Sequence, residues 1–340
     1  MNKPRITALM TVFNGEKYIR EAIESFLNQT YKDFEFLIID DASVDSSRDI
    51  ILSFKDPRIR LIANEKNIGF VSSLNKGLQL AKGEYIARID ADDISMPERL
   101  EKQLIFMENH PEVGLLGCWV ENIDEFGNII DNWHRPHENG HLRWCLLTGT
   151  NCIAHSSTFY RKKIALQLGG YREMRAEDYD LWSRMSFQTK IYQIPEFLIR
   201  LRKHISSSVE KYSKETEKMT RLVMRESMSR ILEKDITGEQ IDIFRNAFLK
   251  YDFINVRPMF QLLFRLYEVY IKNVNLSENE KTQIKNDIVN VVAGTHIKYK
   301  HRYHIKIIFI IISQIISDKD ILNMLILRSK KKLLNLLSRN

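Results

Sequence analysis

The sequence contains two groups of carboxylates whose types and spacing could support catalysis. The first group, Asp90, Asp92 and Asp93, directly follows a short apolar segment. If the extended conformation of that segment continues, the Asp90 and Asp92 side chains point to the same side of the chain. Carboxylate oxygens are the ligands that Mg²⁺ and Mn²⁺ prefer, and these ions often share their coordination with substrate phosphates. The first group therefore predicts a metal–diphosphate site, although a solvated acidic turn would show the same short pattern.

The second group comprises Glu177, Asp178 and Asp180 and begins a predicted helix over residues 179–187. Acidic residues in the first turn of a helix complement its dipole, which is a sufficient structural reason for their presence. A carboxylate beside a second acidic site can also take the proton of a hydroxyl group while a charged group departs. Together the two groups have the composition that such a displacement reaction needs.

A third pattern consists of histidines and cysteines that can ligate zinc. Three histidines and Cys145 are spaced by three, four and four residues, and a Cys-x-x-His pair follows. Zinc remains a minor alternative, because Pro136 interrupts a helix through the first pair and no Cys-x-x-Cys accompanies the set. The residues concerned are His134, His137, His141, Cys145, Cys152 and His155, and we expect His155 to be a packed or surface histidine.

The elements that must position these groups alternate between strand and helix. Apolar runs of strand length alternate with segments of helical periodicity, which predicts βαβ units and a mainly parallel sheet. Ligands bind beyond the carboxyl ends of the strands in such a sheet, where Asp41 and Asp90 fall. We expect residues 131–150 to form an irregular loop. The predicted strands are residues 6–13, 34–39, 58–62, 85–89 and 113–120, and the predicted helices include residues 18–27, 71–81 and 179–187.

The charge of the chain is distributed unevenly. The 340 residues are 44% hydrophobic and 28% charged, which excludes a disordered or low-complexity chain. The formal net charge is +7, yet residues 1–205 contain 27 basic and 29 acidic residues, whereas residues 206–340 contain 24 and 15. Ten basic residues and only two acidic ones lie in residues 297–340. We therefore expect an α/β catalytic domain over residues 1–205 and a helical, basic region over residues 206–340.

The basic C-terminal region is expected to associate with an anionic membrane surface. Apolar residues 305–316 and 321–327 lie beside basic residues, as in a helix that lies in the headgroup region, although ordinary helix packing is the alternative. Residues 305–316 are too few for a spanning helix, which needs roughly 20 residues. The N-terminus does not resemble a signal peptide, and three cysteines indicate a reducing compartment. Because no recognition motif accompanies the basic residues, we do not expect nucleic acid as a partner.

Five ordered segments of residues 4–205 resemble the family 2 inverting glycosyltransferases, which are nucleotide-sugar-dependent enzymes of the GT-A fold. Together, five such segments at compatible spacing form a highly specific pattern. The segments are Ile-Thr-Ala-Leu-Met-Thr-Val-Phe-Asn-Gly, Ser-Phe-Leu-Asn-Gln-Thr-Tyr-Lys-Asp-Phe-Glu-Phe-Leu-Ile-Ile-Asp-Asp-Ala-Ser, Asn-Ile-Gly, Gly-Glu-Tyr-Ile-Ala-Arg-Ile-Asp-Ala-Asp-Asp with Pro-Glu-Arg-Leu, and Gly-Gly-Tyr-Arg leading to Glu-Asp-Tyr-Asp-Leu-Trp.

The resemblance implies a role for each matching residue. Asp178 is the implied general base, and Asp92 is the implied ligand of a Mn²⁺ or Mg²⁺ ion that bridges the diphosphate. His204 is implied at the metal or the diphosphate, although a leucine replaces the family's aromatic residue nearby and a basic surface turn is equally compatible. The implied nucleotide-sugar contacts are Thr11, Phe13 and Asp41 at the base, Asp90 at the ribose, Asp93 as support for Asp92, and Arg202 at the phosphates.

The reaction implied by the resemblance moves a hexose from a UDP-sugar to a lipid-linked saccharide of the undecaprenyl-diphosphate type. Similar bacterial enzymes build surface polysaccharides such as O-antigen, capsule or exopolysaccharide at the cytoplasmic face of the membrane. A dTDP-sugar would present the same imide to Asp41. Two alternatives are a catalytically inactive sugar-nucleotide-binding scaffold and a nucleotidyltransferase, but residues 13–17 lack the glycine-rich phosphate loop that the latter normally shows.

Overall fold

The computed structural model describes residues 3–203, 213–250 and 256–297, together with residues 320, 321 and 324. The chain divides into two compact units, residues 1–220 and residues 221–340. Three sequence predictions lie wholly or largely outside the described residues: the role of His204, the domain boundary at 205/206 and the membrane-associating segments of the tail.

A nine-stranded mixed sheet forms the centre of the first unit. Its order is β3-β2-β1-β4-β8-β6-β9-β5, and β7 pairs with β6 outside this path. The strands are β1 Ile6–Val12, β2 Phe34–Asp40, β3 Ile59–Ala63, β4 Tyr85–Arg88, β5 Ile94–Ser95, β6 Val113–Ile123, β7 Ile129–Trp133, β8 Phe159–Arg161 and β9 Lys190–Arg202. The helices are α1 Ile19–Leu27, α2 Ser47–Ser53, α3 Phe70–Leu80, α4 Arg99–Asn109, α5 Asn139–Leu147, α6 Lys162–Gln167 and α7 Glu177–Ser186, with a 3₁₀ turn at His155–Ser157.

The parallel half of the sheet consists of β1 to β4. Strand β1 pairs in parallel with β2 and β4, and β2 pairs in parallel with β3. Both β1 and β2 are buried along their whole length, which explains their continuous apolar sequences. Helix α1 packs its buried face on this half, and the Phe26 ring lies 5.2 Å from the Phe36 ring of β2. The carboxyl ends of these strands consequently meet at one edge.

The other half of the sheet joins the first through the short strand β8. Strand β8 pairs antiparallel with both β4 and β6, and β9 pairs in parallel with β6. Strand β9 ends at Arg202 and also pairs with β5, which directly follows the acidic residues 90–93. The end of β9 is thereby held beside the group of carboxylates.

The predicted α/β fold with a mainly parallel sheet is confirmed, and two local predictions are wrong. Residues 131–150 contain most of β7 and helix α5 and are not an irregular loop. Seven of the nine residues of helix α5 are buried, so its sequence lacks a clear polar face. Strand β4 ends at Arg88 and the chain turns at residues 90–93, where the Asp93 N–H donates to the Asp90 carbonyl. The extended geometry assumed for Asp90 and Asp92 is therefore absent.

The second unit is helical in its described part. Helix α8 Ser213–Leu232 crosses the division between the units, and α9 Gly238–Lys250, α10 Val256–Asn273 and α11 Glu278–Ile297 follow. Helices α9 and α10 pack against each other and bury aromatic residues such as Phe244 and Tyr267. Among the helices that the structure describes, none has the length and apolar character to cross a bilayer.

Candidate active site

The residues 90–93, here called the acidic turn, connect β4 to β5. Asp90 accepts hydrogen bonds from Arg88 at 2.5 Å and from the Ser156 hydroxyl at 2.8 Å, and its own N–H donates to Ser156. Burial acts to raise the pKa of Asp90, but the charge of the adjacent Arg88 and the hydrogen bonds from Ser156 and Arg88 outweigh burial and lower it. Asp90 is therefore a fixed carboxylate.

Asp93 is the buried member of the acidic turn, and Asp92 is half-buried. Burial, together with the charges of Asp92 and Asp90, raises the pKa of Asp93 well above its usual range. Three carboxyl groups in one short turn repel each other, and a cation would relieve that repulsion. The oxygen donors are those that hard divalent ions prefer, so the chemistry of the turn fits Mg²⁺ or Mn²⁺.

Arg202 lies at the end of β9 and contacts the acidic turn. Its main-chain N–H donates to the Asp93 carboxylate at 2.9 Å, and its Nε donates to the Asp92 carbonyl at 3.0 Å. Its terminal nitrogens donate to the carbonyls of Asp124 and Glu125 and to the Glu21 carboxylate. All these partners are protein groups, and Arg202 is only 3% exposed.

Asp178 lies in the first turn of α7. Its carboxylate accepts a hydrogen bond from the Asn151 side-chain amide at 2.8 Å and another from the Tyr179 N–H. Burial raises the pKa of Asp178, the charge of Asp90 contributes to the rise, and these two hydrogen bonds oppose it. A carboxylate with a raised pKa is a stronger base than an exposed aspartate, which suits it to accept a proton.

Glu177 and His155 form a buried pair next to Asp178. The His155 Nδ1 atom lies 3.8 Å from the Glu177 carboxylate, and Nε2 lies 3.2 Å from the Tyr171 hydroxyl. Burial, with the charge of Asp178, raises the pKa of Glu177 to about 8. Burial and the charge of Arg88 lower the pKa of His155 to about 3. Both groups are accordingly neutral near pH 7.

A buried ion-pair network fixes the start of α7. Asp180 is fully buried and accepts hydrogen bonds from Arg184 at 2.6 and 2.9 Å and from Arg172 at 3.2 Å. Arg184 also donates to the carbonyls of Leu168 and Gly170. The network ties the turn before α7 to the helix and thereby fixes the segment that contains Asp178.

Asp41 follows β2 and holds the loop that leads into α3. One of its carboxylate oxygens accepts from the Asn64 amide at 2.7 Å and from the Ile68 N–H at 2.9 Å, and the other accepts from the Gly69 N–H at 2.9 Å. A carboxylate offers about four acceptor positions, and the residues that the structure describes occupy three of them on Asp41.

Thr11 has a buried polar atom without a partner. The residue is 6% exposed, and the hydroxyl oxygen makes no hydrogen bond to any residue that the structure describes. Leaving a hydroxyl unpaired in the interior costs roughly 1–3 kcal/mol. Phe13, two residues further on, is 51% exposed directly beyond the end of β1. An unpaired hydroxyl and an exposed aromatic ring at a strand end are features typical of a ligand-binding surface.

The sequence interpretation did not assign several residues that this site contains. Arg88, Ser156 and Asn151 contact the predicted carboxylates, and Glu177, a member of the second group of carboxylates, pairs with His155. The signal available in the sequence was a charged residue, Arg88, inside the apolar segment that precedes the acidic turn. Of the six residues of the zinc pattern, Cys145 lies in hydrogen-bonding contact with His141 and Cys152. The His134 ring lies elsewhere, against Trp119 and Phe197.

A mainly parallel sheet with the acidic turn at the carboxyl end of β4, and a buried carboxylate at the start of α7, is an α/β fold of the GT-A class. The chain belongs to glycosyl transferase family 2, and the model of that family matches residues 7–169. The protein is therefore a glycosyltransferase.

Two relatives and one solved structure illustrate this relationship. The chain is 40% identical over 209 residues to the uncharacterized glycosyltransferase MJ1057 of Methanocaldococcus jannaschii, covering 59% of this chain and 72% of the relative. It is 35% identical over 187 residues to the O-antigen biosynthesis glycosyltransferase WbnJ of Escherichia coli, covering 53% and 71%. The crystal structure of S. aureus TarS residues 1–349 with UDP-GlcNAc shares the fold, with a TM-score of 0.55 at 18% identity over 85% of this chain and 80% of that one.

Proposed function

We propose that this glycosyltransferase transfers a hexose from a UDP-sugar to an acceptor hydroxyl with inversion at the anomeric carbon. The observation that carries the proposal is the Asp178 carboxylate, which is buried, held by Asn151 and made more basic by its surroundings. The charge of Asp90 acts on it, so the proposed base and the proposed donor site lie within electrostatic range of each other.

Asp178 acts as the general base of a single displacement. The acceptor oxygen attacks the anomeric carbon, its proton passes to an Asp178 oxygen, and the bond between the anomeric carbon and the phosphate oxygen breaks with its electron pair on the departing diphosphate. Attack from the face opposite to the leaving group inverts the anomeric configuration. The hydrogen bond from Asn151 fixes the rotamer of Asp178 before the acceptor arrives.

The nucleotide occupies the carboxyl ends of β1 and β2. The unpaired Thr11 hydroxyl and the remaining acceptor position of Asp41 are the polar contacts, and Phe13 offers an exposed ring at the same edge. Asp41 accepts from the imide N–H that uracil presents, and thymine in a dTDP-sugar presents the same group. Asp90 lies at the ribose.

A divalent cation, Mn²⁺ or Mg²⁺, would be held by Asp92 with support from Asp93. The crowded carboxylates of the acidic turn support this assignment, and the role of His204 as a further ligand lies outside the described residues. Such an ion would stabilise the negative charge that gathers on the leaving diphosphate.

The proposed acceptor is a lipid-linked saccharide at the cytoplasmic face of a bacterial membrane. The O-antigen biosynthesis name of the E. coli relative supports this part of the proposal. The basic composition of residues 297–340 supports attachment to anionic lipid. Deletion of residues 297–340 should move the protein from the membrane to the soluble fraction, and unchanged partitioning would refute the attachment.

The decisive experiment incubates purified full-length protein with Mn²⁺, a panel of nucleotide sugars and a GlcNAc-diphosphate-lipid analogue. Mass spectrometry should detect addition of one hexose with a UDP-sugar, and NMR of the product should show an inverted anomeric configuration. Asp178→Asn should retain UDP binding and lose turnover by at least about 10²-fold, because removing a general base costs about 10²–10⁴-fold. Retention of configuration, or turnover by Asp178→Asn at the wild-type rate, would refute the proposed mechanism.

A further inference from the structure

We propose that Arg202 and Glu21 form an ion pair that positions the acidic turn. Arg202 holds the turn through hydrogen bonds and is not a ligand of the diphosphate. The inference deepens the proposed function, because that function places a metal ion at Asp92. It differs from the role that the family resemblance implies for Arg202, which is direct contact with phosphate.

Arg202 holds the acidic turn at two different points. Its main-chain N–H donates to the Asp93 carboxylate, and its Nε donates to the Asp92 carbonyl at 3.0 Å. The first bond depends on the position of β9, and the second depends on the guanidinium. Together they fix both the side chain of Asp93 and the main chain of Asp92.

The terminal nitrogens of the guanidinium are bound by two other elements, the β6–β7 turn and helix α1. One terminal nitrogen donates to the carbonyls of Asp124 and Glu125, where β6 turns into β7, both at 3.3 Å. The other donates to Glu21 of α1 at 2.5 Å, and the guanidinium lies 4.6 Å from the centre of the Tyr18 ring. Four hydrogen bonds therefore use most of its five N–H donors.

The positive charge of Arg202 is balanced by the carboxylate of Glu21. The Arg202 side chain is 2% exposed, and a buried cation needs a partner to offset its desolvation. Glu21 supplies that partner while its own side chain remains 54% exposed. Only one N–H donor is left on this side chain, so a phosphate group that took two donors of the guanidinium would have to displace Glu21 or a carbonyl, which would lose its donor.

These contacts require the planar guanidinium of an arginine. A lysine ammonium is a point charge with three donors and cannot reach the Asp92 carbonyl, the β6–β7 turn and Glu21 together. Arg200 provides a matched control, because it lies two residues earlier on β9 and pairs with Glu121 at 2.9 Å, without a side-chain bond to the acidic turn.

The test measures amide hydrogen exchange by mass spectrometry on the full-length protein without nucleotide or metal. Arg202→Lys, Arg202→Gln and Glu21→Gln should each increase exchange at residues 90–95 at least about fivefold, whereas Arg200→Gln should leave it within twofold of wild type. Unchanged exchange at residues 90–95 in both Arg202→Lys and Glu21→Gln would overturn the proposal. These two conservative variants keep the test valid if Arg202→Gln does not fold.

A second measurement separates positioning from direct phosphate contact. Calorimetric titration of UDP is done with Mn²⁺ and again with EDTA. Positioning predicts that Glu21→Gln and Arg202→Lys weaken UDP binding at least about fivefold in Mn²⁺ and change it less than twofold in EDTA. A loss of UDP affinity in EDTA for Arg202→Lys, with Glu21→Gln at wild-type affinity in both conditions, would identify a phosphate ligand and overturn the proposal. If wild-type protein binds no UDP, the proposed function fails, and the exchange measurement still decides the role of Arg202.

Discussion

Asn151 donates a hydrogen bond from its side-chain amide to the Asp178 carboxylate at 2.8 Å. The two residues are 27 positions apart in the chain, and the bond connects the segment before the 3₁₀ turn to the start of α7. It stabilises the charged form of Asp178 against the effect of burial, so it adjusts the proton affinity of the proposed base.

Replacement of Asn151 by valine is expected to shift the pH dependence of turnover. Without the amide donor, the charged form of Asp178 is less stable and its pKa rises further. The general base must be deprotonated, so the acidic limb of the kcat profile should move to higher pH by roughly half a unit to one unit. A profile of Asn151→Val that overlays the wild type, or that moves to lower pH, would contradict the assignment of Asp178 as base.

Replacement of Thr11 by valine should separate ligand binding from stability. The Thr11 hydroxyl is buried and unpaired, so valine should leave Tm unchanged or raise it, while UDP binding weakens by about five- to tenfold through loss of one hydrogen bond. Thr7 of the same strand is the matched control, because its hydroxyl donates to Glu35 and accepts from the Gly83 N–H. Thr7→Val should lower Tm and leave UDP affinity intact. The reverse pattern in calorimetry and thermal melts would exclude Thr11 from the nucleotide site.

Replacement of Asp92 by asparagine should remove the metal dependence of UDP binding. The neutral amide is a poorer ligand for a hard cation than a carboxylate, so added Mn²⁺ should no longer increase UDP affinity. Titration of UDP with Mn²⁺ and with EDTA measures the difference. Asp49→Asn, at an exposed position in α2, should keep the wild-type response to Mn²⁺. A full Mn²⁺ response in Asp92→Asn would show that Asp92 is not the metal ligand.

Glu177 is expected to make the fold less stable as pH rises. Its pKa is raised from 4.5 to about 8 in the folded protein, so the folded state binds this proton more tightly than the unfolded state. The resulting stabilisation is fully present below pH 4.5 and is lost as pH rises through about 8. Glu177→Gln stays neutral, so its Tm relative to wild type should be higher at pH 9 than at pH 5, by about 2–4 °C for each kcal/mol.

The control for that prediction is Glu173→Gln, because the Glu173 side chain is exposed and lies just before α7. Its difference from wild type should be the same at the two pH values. A Glu177→Gln difference that is equal at pH 5 and pH 9 would show that Glu177 is charged in the folded protein.

The sequence was sufficient to predict the strands and helices of the parallel half because their patterns are local. Strand β1 is buried along its whole length, and α1 has apolar residues at helical spacing. Helix α5 escaped prediction because it is buried on most sides and its apolar residues show no single face. Strand β5 has only two residues, which is too short for any periodicity.

The carboxylates of the site could be predicted from their positions after strands and before a helix, whereas their partners could not. Arg88, Ser156 and Asn151 come from three different segments, and only the tertiary fold brings them to Asp90 and Asp178. The surroundings of Arg202 show the same limit, since its partner Glu21 is 181 residues away in the chain. Contacts at such separations depend on sheet order, which local sequence patterns do not contain.

The long separation in sequence between Arg202 and the acidic turn determines when the turn can form its contacts during synthesis of the chain. Asp92 leaves the ribosome 110 residues before Arg202. The acidic turn therefore lacks its hydrogen bonds to Arg202 until β9 has been synthesised and has paired with β6. A fragment limited to residues 7–169, the extent of the family match, would contain the whole turn but neither Asp178 nor Arg202. The shortest chain that can assemble this site therefore extends at least to residue 202.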